Sequence, residues 1–441
     1  MSIKCLILSH AFNMDGRAAS QTITDKVSAL RESGLELFVL SAITGERDKH
    51  LKHRRIIGIG PSALRFDLRH LLARHIGRGY AYTLIMAFTS LSLAPFILIE
   101  KVIVGLSSHW SWTIISSIQG LIWMKKYDID LIYSTGGAWS AHLSGWILKL
   151  ITKAPWIVEF HDPMVELSTS STTLMNYRER VVKKLIERLA CNEATLIWWF
   201  TEAALEQAAR RYPAQRDKLF CTLPGAMPPK ERVKYQRGDR VRFAHFGSLS
   251  ATRSLSHFVT GLSELFKSNP QLISLIEVHI YGSKIDDLAN QLILDNNITA
   301  CFVEHGRIER SEETLASGRE KILTLMQQSD CLILLHGCDE NCELYIPSKL
   351  YEYWWASRPI FALVHQNPQL ESIIKAIHPD NLLIATLTPA TTYRESFERF
   401  IKMWQNGEFD NFCPALSPAS PGAAVELIIE KLREKTLLFE K

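Results

Sequence analysis

The chain carries no strong charge of either sign, no evident disulfide framework and no recognisable secretory leader. Its formal net charge is +4 over 441 residues, too small to imply nucleic acid as a partner. The eight cysteines are scattered at positions 5, 191, 221, 301, 331, 338, 342 and 413. Only Cys331, Cys338 and Cys342 cluster, with His336 among them, and Cys331 opens an apolar run where a thiol behaves as a small hydrophobe. No metal site is expected there, and reduced thiols are the default. Lys4-Cys5-Leu6-Ile7-Leu8-Ser9 reads directly as a strand, with no basic n-region and apolar h-region ahead of it, so secretion is not expected. What is present is an ordinary folding composition, 47% apolar and 22% charged, on a chain long enough for two full cores.

Short apolar runs alternate with helix-length segments. A first series of predicted strands covers 3–8, 36–40, 130–134, 156–160 and 196–200. A polar, proline-containing stretch at 226–240 follows Gly225, and a second series covers 241–246, 276–281, 301–304, 331–335 and 360–364. Strand–helix alternation predicts parallel sheets with helices on both faces. The interruption predicts an α/β chain of two tandem Rossmann-like, doubly wound domains, 1–225 and 241–441, with the last helix packing back on the first domain. Ligands in such sheets bind beyond the carboxyl ends of the strands, so the expected site is the cleft that the domains face across.

Residues 49–124 depart from this rhythm. From Lys49 to Arg78 there are eight Lys or Arg and four His against one acid, Asp67. Gly79–Ile99 then carries no formal charge, Glu100-Lys101 interrupts, and Val102–Met124 is again free of Lys, Arg, Asp and Glu. Runs near 20 residues permit membrane-spanning helices. Strands 3–8 and 130–134 should share one sheet, however, so any crossings between them must be even in number. Basic residues beside apolar ones fit a segment lying on the anionic, cytoplasmic face of a membrane. Helices that simply cover the sheet, or a hairpin dipping into the bilayer, are the alternatives.

The most informative stretch is Ile346-Pro347-Ser348-Lys349-Leu350-Tyr351-Glu352-Tyr353. Pro347 suits the first turn of a helix, where its missing N–H would be unbonded anyway. The free amides of Ser348 and Lys349 would then face an anion, favoured by the helix dipole. Glu352, a turn further on, is a carboxylate able to accept from a sugar's vicinal hydroxyls. Diphosphate at the helix tip and ribose on the Glu would together hold a nucleotide. Asp128-Ile129-Asp130 has the Asp-x-Asp form of a metal site, but it precedes strand 130–134 and so lies at the amino end, away from ligand. Trp198-Trp199 and Trp354-Trp355 read as packing.

Further pieces occur in order along the chain: Ser9-His10-Ala11-Phe12-Asn13-Met14-Asp15-Gly16-Arg17, Asp130–Gly137, Trp156-Ile157-Val158-Glu159-Phe160-His161-Asp162-Pro163, Phe246-Gly247-Ser248-Leu249-Ser250 with Arg253, and Tyr281-Gly282-Ser283. Together with the helix start they resemble a GT-B glycosyltransferase of the family 4 type. The resemblance implies a retaining transfer of sugar from a nucleotide diphosphate donor to a lipid-linked or glycan acceptor, in surface polysaccharide synthesis. It implies no cofactor and no metal, the nucleotide sugar being a substrate. Glu352 matches the ribose-binding Glu, and Arg253 the basic residue that holds the donor diphosphate beside Gly247 and Gly282. Ser248 stands where many relatives carry a second base, for which Lys349 is a substitute. Leu344 stands where the family usually has an acid against the transferred sugar, with Glu343 one residue off register. His161 matches a residue beside the reacting sugar, and Asp162 would orient it or cap the next turn. Gly16 would allow close backbone approach and Arg17 would add charge. A nucleotide-sugar 2-epimerase or another enzyme of the same layout, and a degenerate partner subunit, are the competing accounts; Ser248 and Leu344 motivate the last.

Overall fold

A computed structural model of the chain describes residues 2–14, 18–77, 79–165, 174–308 and 318–436. It divides into two compact units, residues 1–224 with 421–441, and residues 225–420.

The first unit holds β1 (Ile3–Ser9), β2 (Leu35–Ala42), β3 (Lys52–Ile56), β4 (Leu131–Gly136), β5 (Trp156–Phe160), β6 (Leu196–Trp199) and β7 (Leu219–Cys221), in the order β3-β2-β1-β4-β5-β6-β7. Neighbours pair in parallel throughout. Its helices are α1 (Ala18–Thr24), α2 (Lys26–Glu32), α3 (Pro61–Ile76), α4 (Tyr80–Ile103), α5 (Trp112–Tyr127), α6 (Trp139–Thr152), α7 (Leu174–Glu193) and α8 (Glu202–Arg211). The second unit holds β8 (Val241–Gly247), β9 (Ile276–Gly282), β10 (Phe302–Gly306), β11 (Cys331–Leu335), β12 (Ile360–Val364) and β13 (Leu382–Ala385), in the parallel order β10-β9-β8-β11-β12-β13. Its helices are α9 (Ser256–Ser268), α10 (Asp287–Asp295), α11 (Gly318–Gln328), α12 (Lys349–Ala356), α13 (Pro368–Ile377) and α14 (Ala390–Gln405). The final helix, α15 (Pro421–Lys435), belongs to the first unit and packs on α2.

Strands covered on both faces tolerate no alternation, and β4, β5, β6, β11 and β12 are buried at every residue. Every predicted strand is present, and β1 and β4 do share a sheet. Three further strands escaped prediction. β3 is Lys-His-Arg-Arg-Ile, a cationic edge strand of the kind that resists pairing with a foreign chain. β7 and β13 are three and four residues long, too short for a pattern. The two apolar runs between β3 and β4 have different fates: α5 lies on the sheet with Trp112 and Met124 in the core, whereas α4 stands outside it.

In both sheets the strand order reverses between the first strand and the fourth, at β1/β4 and at β8/β11. With three strands on one side of each reversal, the crossover loops diverge and leave a crevice at the carboxyl ends.

Candidate functional site

In the second unit the crevice begins with two glycines. Gly247 and Gly282 end β8 and β9 in register, with φ of 142° and 123°. A Cβ on Gly282 would lie 2.4 Å from the Gly247 carbonyl oxygen, so only glycine permits this approach. Ser283 N donates to that carbonyl at 3.1 Å, and Ser283 Oγ accepts from Leu249 N at 2.8 Å, which fixes the loop carrying exposed Ser248. Ser250 and Arg253 then exchange backbone hydrogen bonds of 3.2 and 2.9 Å, closing a tight turn. Half-buried Arg253 reaches the Tyr345 hydroxyl, while its Nε has no hydrogen-bond partner among the described residues.

Helix α12 starts two residues after Pro347, so the proline precedes the helix rather than occupying its first turn. Leu350 N donates to Pro347 O at 2.9 Å and Tyr351 N to Ser348 O at 3.3 Å; the amides of Ser348 and Lys349 come before these first bonds. Ser348 is exposed and makes no side-chain cap. One turn on, Glu352 is buried with Lys349 Nζ 2.7 Å and Arg319 Nε 3.4 Å from its oxygens. Burial opposes the charge, but Lys349 and then Arg319 outweigh it and hold the Glu352 carboxyl below the ordinary glutamate value. Tyr353, on the same helix, accepts from Phe246 N at 3.2 Å and donates to Ile333 O at 3.1 Å, which pins α12 to the switch point.

His245 lies beneath Gly247 and is buried. Its Nδ1 donates to Ile333 O at 3.2 Å, and Nε2 has no partner among the described residues. Burial, with the Arg253 and Lys349 charges added, pushes its pKa down to about 4, so two cations act on one neutral ring. Arg253 and Lys349 thus both act on His245 near the end of β8, while Arg319 and Lys349 flank the Glu352 carboxylate. Glu343 sits half-buried in a short 3-10 turn, Cys342–Leu344, and Leu344 is fully packed. Trp354 and Trp355 donate to Leu416 O and Ala226 O and serve as packing.

In the first unit His161 leaves the end of β5. Its Nε2 lies 2.9 Å from Glu159 Oε1 and 3.1 Å from Thr135 Oγ1. A carboxylate only accepts, so Nε2 carries a proton and donates it to Glu159. Glu159 also takes Lys26 Nζ at 2.5 Å and the Tyr133 hydroxyl, and Lys26 sits 4.2 Å over the Trp198 ring. Lys26 and Glu159 are wholly buried. Burial works against the Glu159 charge, yet Lys26 and His161 outweigh it and lower the pKa to about 2. The ring is thus oriented by Glu159 and Thr135 rather than by Asp162, which is exposed with its carboxylate against Gly137. Gly16 and Arg17 lie outside the described residues. Asp130 accepts from Lys4 N at 2.9 Å at the amino end of β4, a structural role.

Arg319, His245, Lys26 and Glu159 were not foreseen. Glu159 and His245 did carry a signal, since each interrupts an apolar strand and a buried polar group there needs a partner. Nothing in the local pattern marks Arg319 or Lys26.

No family model matches the chain, and no curated protein is similar to it in sequence. Solved structures are similar in fold. Alr3699/HepE from Anabaena, crystallised with UDP and glucose, aligns with a TM-score of 0.56 at 12% identity over 98% of this chain and 100% of that one. WaaG, a glycosyltransferase involved in lipopolysaccharide biosynthesis, aligns with a TM-score of 0.55 at 12% identity over 91% of both chains. A Listeria monocytogenes protein assigned as a UDP-N-acetylglucosamine 2-epimerase gives 0.56 at 11% identity over 99% and 98%. The two parallel, doubly wound sheets, each with its switch point, are those of the GT-B fold.

Proposed function

We propose that the protein is a glycosyltransferase that moves a sugar from a nucleotide diphosphate donor to a lipid-linked or glycan acceptor in surface polysaccharide synthesis. The observation that carries this reading is Glu352 held between Lys349 and Arg319, with Lys349 and Arg253 both acting on His245 of β8, the strand that ends in the Gly247–Gly282 approach. Glu352, ionised and between two cations, is the acceptor for the ribose hydroxyls. The amides of Ser348 and Lys349, with Arg253, hold the diphosphate. As the sugar leaves, that diphosphate gains charge, and fixed cations already aimed at it lower the barrier without a metal. Glu343 is assigned to the transferred sugar, and His161, held by Glu159, to a hydroxyl of donor or acceptor. Transfer proceeds with retention of configuration. The protein works on the cytoplasmic side, attached peripherally to the membrane. Complexes of the Anabaena neighbour with UDP and with UDP-glucose favour a uridine donor.

Donor binding tests this directly. Among UDP-, GDP- and dTDP-sugars, a UDP-sugar is expected to raise the melting temperature, because binding free energy adds to the stability of the folded state. Glu352→Gln keeps the shape and loses the charge, and should weaken that ligand by roughly ten- to a hundredfold, the worth of hydrogen bonds to a charged group. If none of the sugars stabilises the protein, the donor site is misplaced and the partner-subunit account gains. The Listeria neighbour gives a second reading, 2-epimerisation, which would show as an isomerised nucleotide sugar released without any acceptor.

A further inference from the structure

Helix α4 is long and apolar enough to cross a membrane, and none of its most apolar stretch is buried in the protein. Phe88 and Leu91 are 74% and 76% exposed, Val102 and Ile103 66% and 72%. A helix that is apolar all round is stable only when something apolar surrounds it. Topology restricts what that can be. β3 precedes α4 and β4 follows it in one sheet, so a single crossing is excluded. Its antiparallel partner α3 cannot enter hydrocarbon with it, because Arg65, Arg69 and Arg74 are exposed along α3 and charged side chains are strongly disfavoured there. α4 can therefore lie only flat, beneath α3. Between the two helices a hollow is lined by Arg65, Ser90, Ala94, Ile97, Leu98 and Lys101. Two cations above apolar walls match a phosphate with acyl chains attached.

The surface continues onto α7. Arg178 donates to the carbonyls of Val102 and Ile103, at 2.8 and 3.2 Å, and Glu179 accepts from Ser107 N at 3.0 Å. These bonds clamp α7 to the last turn of α4. From the clamp an exposed stripe, Tyr177, Val181 and Leu185, runs along α7 at four-residue spacing beside Arg180, Lys183 and Lys184. An apolar stripe rimmed by basic residues is the pattern of a helix at a lipid interface.

We propose that α3, α4 and α7 form one seating surface for an anionic phospholipid bilayer, with α4 submerged parallel to its plane and a lipid phosphate held between Arg65 and Lys101. This deepens the reading of a membrane-borne acceptor and rests on it for its purpose. Its test does not depend on that reading.

The full chain should sediment with vesicles of phosphatidylcholine and phosphatidylglycerol, and less with phosphatidylcholine alone. Each basic residue near an anionic surface is worth about fivefold in partition, so Arg65→Glu with Lys101→Glu should cost at least about twenty-fivefold. Val181→Glu with Leu185→Glu should lower binding at an unchanged melting temperature, and Val181→Ser with Leu185→Ser serves if the charged pair fails to fold. Nitroxides on Leu84→Cys or Val102→Cys, with exposed Cys338 and Cys413 changed to Ser, should report equal depth from the same face. Undiminished binding by either double variant, labels reporting opposite faces, or a lipid-free dimer that shields α4 from hydrogen exchange would each overturn the proposal. No nucleotide is present, so failure here leaves sugar transfer standing, and failure of donor binding leaves this proposal standing.

Discussion

Glu159 keeps its charge although wholly buried because three donors converge on two oxygens: Lys26, His161 and Tyr133. Burial pulls Lys26 below the ordinary lysine value, and Glu159 pulls it back, so each charge depends on the other. The pair is weak evidence for stability, since its mutual attraction mostly offsets the desolvation of both ions. Its loss on one side is another matter. Glu159→Ala should cost about 3–5 kcal/mol in urea unfolding by leaving Lys26 buried and unpaired, whereas Lys26→Met with Glu159→Gln should recover most of that. The same single variant frees the His161 ring, so any transfer activity should fall more than stability explains. Recovery of stability without recovery of activity would locate the functional part of the cluster in the Glu159–His161 bond.

At the level of elements, position in the fold decides what a glycine is worth. Gly282 ends β9 at a φ of 123° with the Gly247 carbonyl 2.4 Å from where a Cβ would sit. Gly306 ends β10, next in the sheet, at a φ of 66° with nothing within 4 Å. Gly282→Ala should therefore destabilise by about 1–3 kcal/mol and displace the loop of Ser248, weakening donor binding. Gly306→Ala should cost only the left-handed backbone, about 1 kcal/mol, with donor affinity unchanged. Equal effects in both readouts would show that the close strand ends do not shape the site. The strands themselves were readable because mainly apolar runs of four to six residues between helix-length segments have few other uses. β3 was not readable. Its His53 is buried and paired with Ser41 at 2.8 Å, yet four of its five residues are basic, and the pattern of an edge strand is set by what it must avoid.

For the whole molecule, acid should act well above the carboxylate range. Burial is the first cause that lowers His53, His109, His142 and His245 to about 4 and His10 to about 3. In the unfolded chain these rings protonate near pH 6.5, while the folded chain keeps them neutral until about pH 4. The unfolded state thus binds more protons through that window, and stability falls as pH drops from about 6.5 toward 4. Each buried ring contributes a loss of up to about 2 kcal/mol by pH 5. Urea midpoints at pH 7 and pH 5 should show the decline, and His245→Asn, whose amide replaces Nδ1, should reduce its slope by one ring. A flat profile would mean that these histidines are wetter than their packing indicates.

The architecture and the helix start at Ser348-Lys349 with Glu352 were legible because they rest on local pattern: apolar runs, a proline, and a carboxylate one turn on. The partners of the functional groups were not. Arg319 reaches Glu352 from another helix, and Lys26 meets Glu159 across 133 residues of chain, so only chain closure brings those charges together. The same limit applied to the apolar runs around Gly105. Composition alone could not say that α5 would turn Trp112 into the core while α4 kept its apolar faces outside, because burial belongs to the neighbours a helix acquires and not to its own residues.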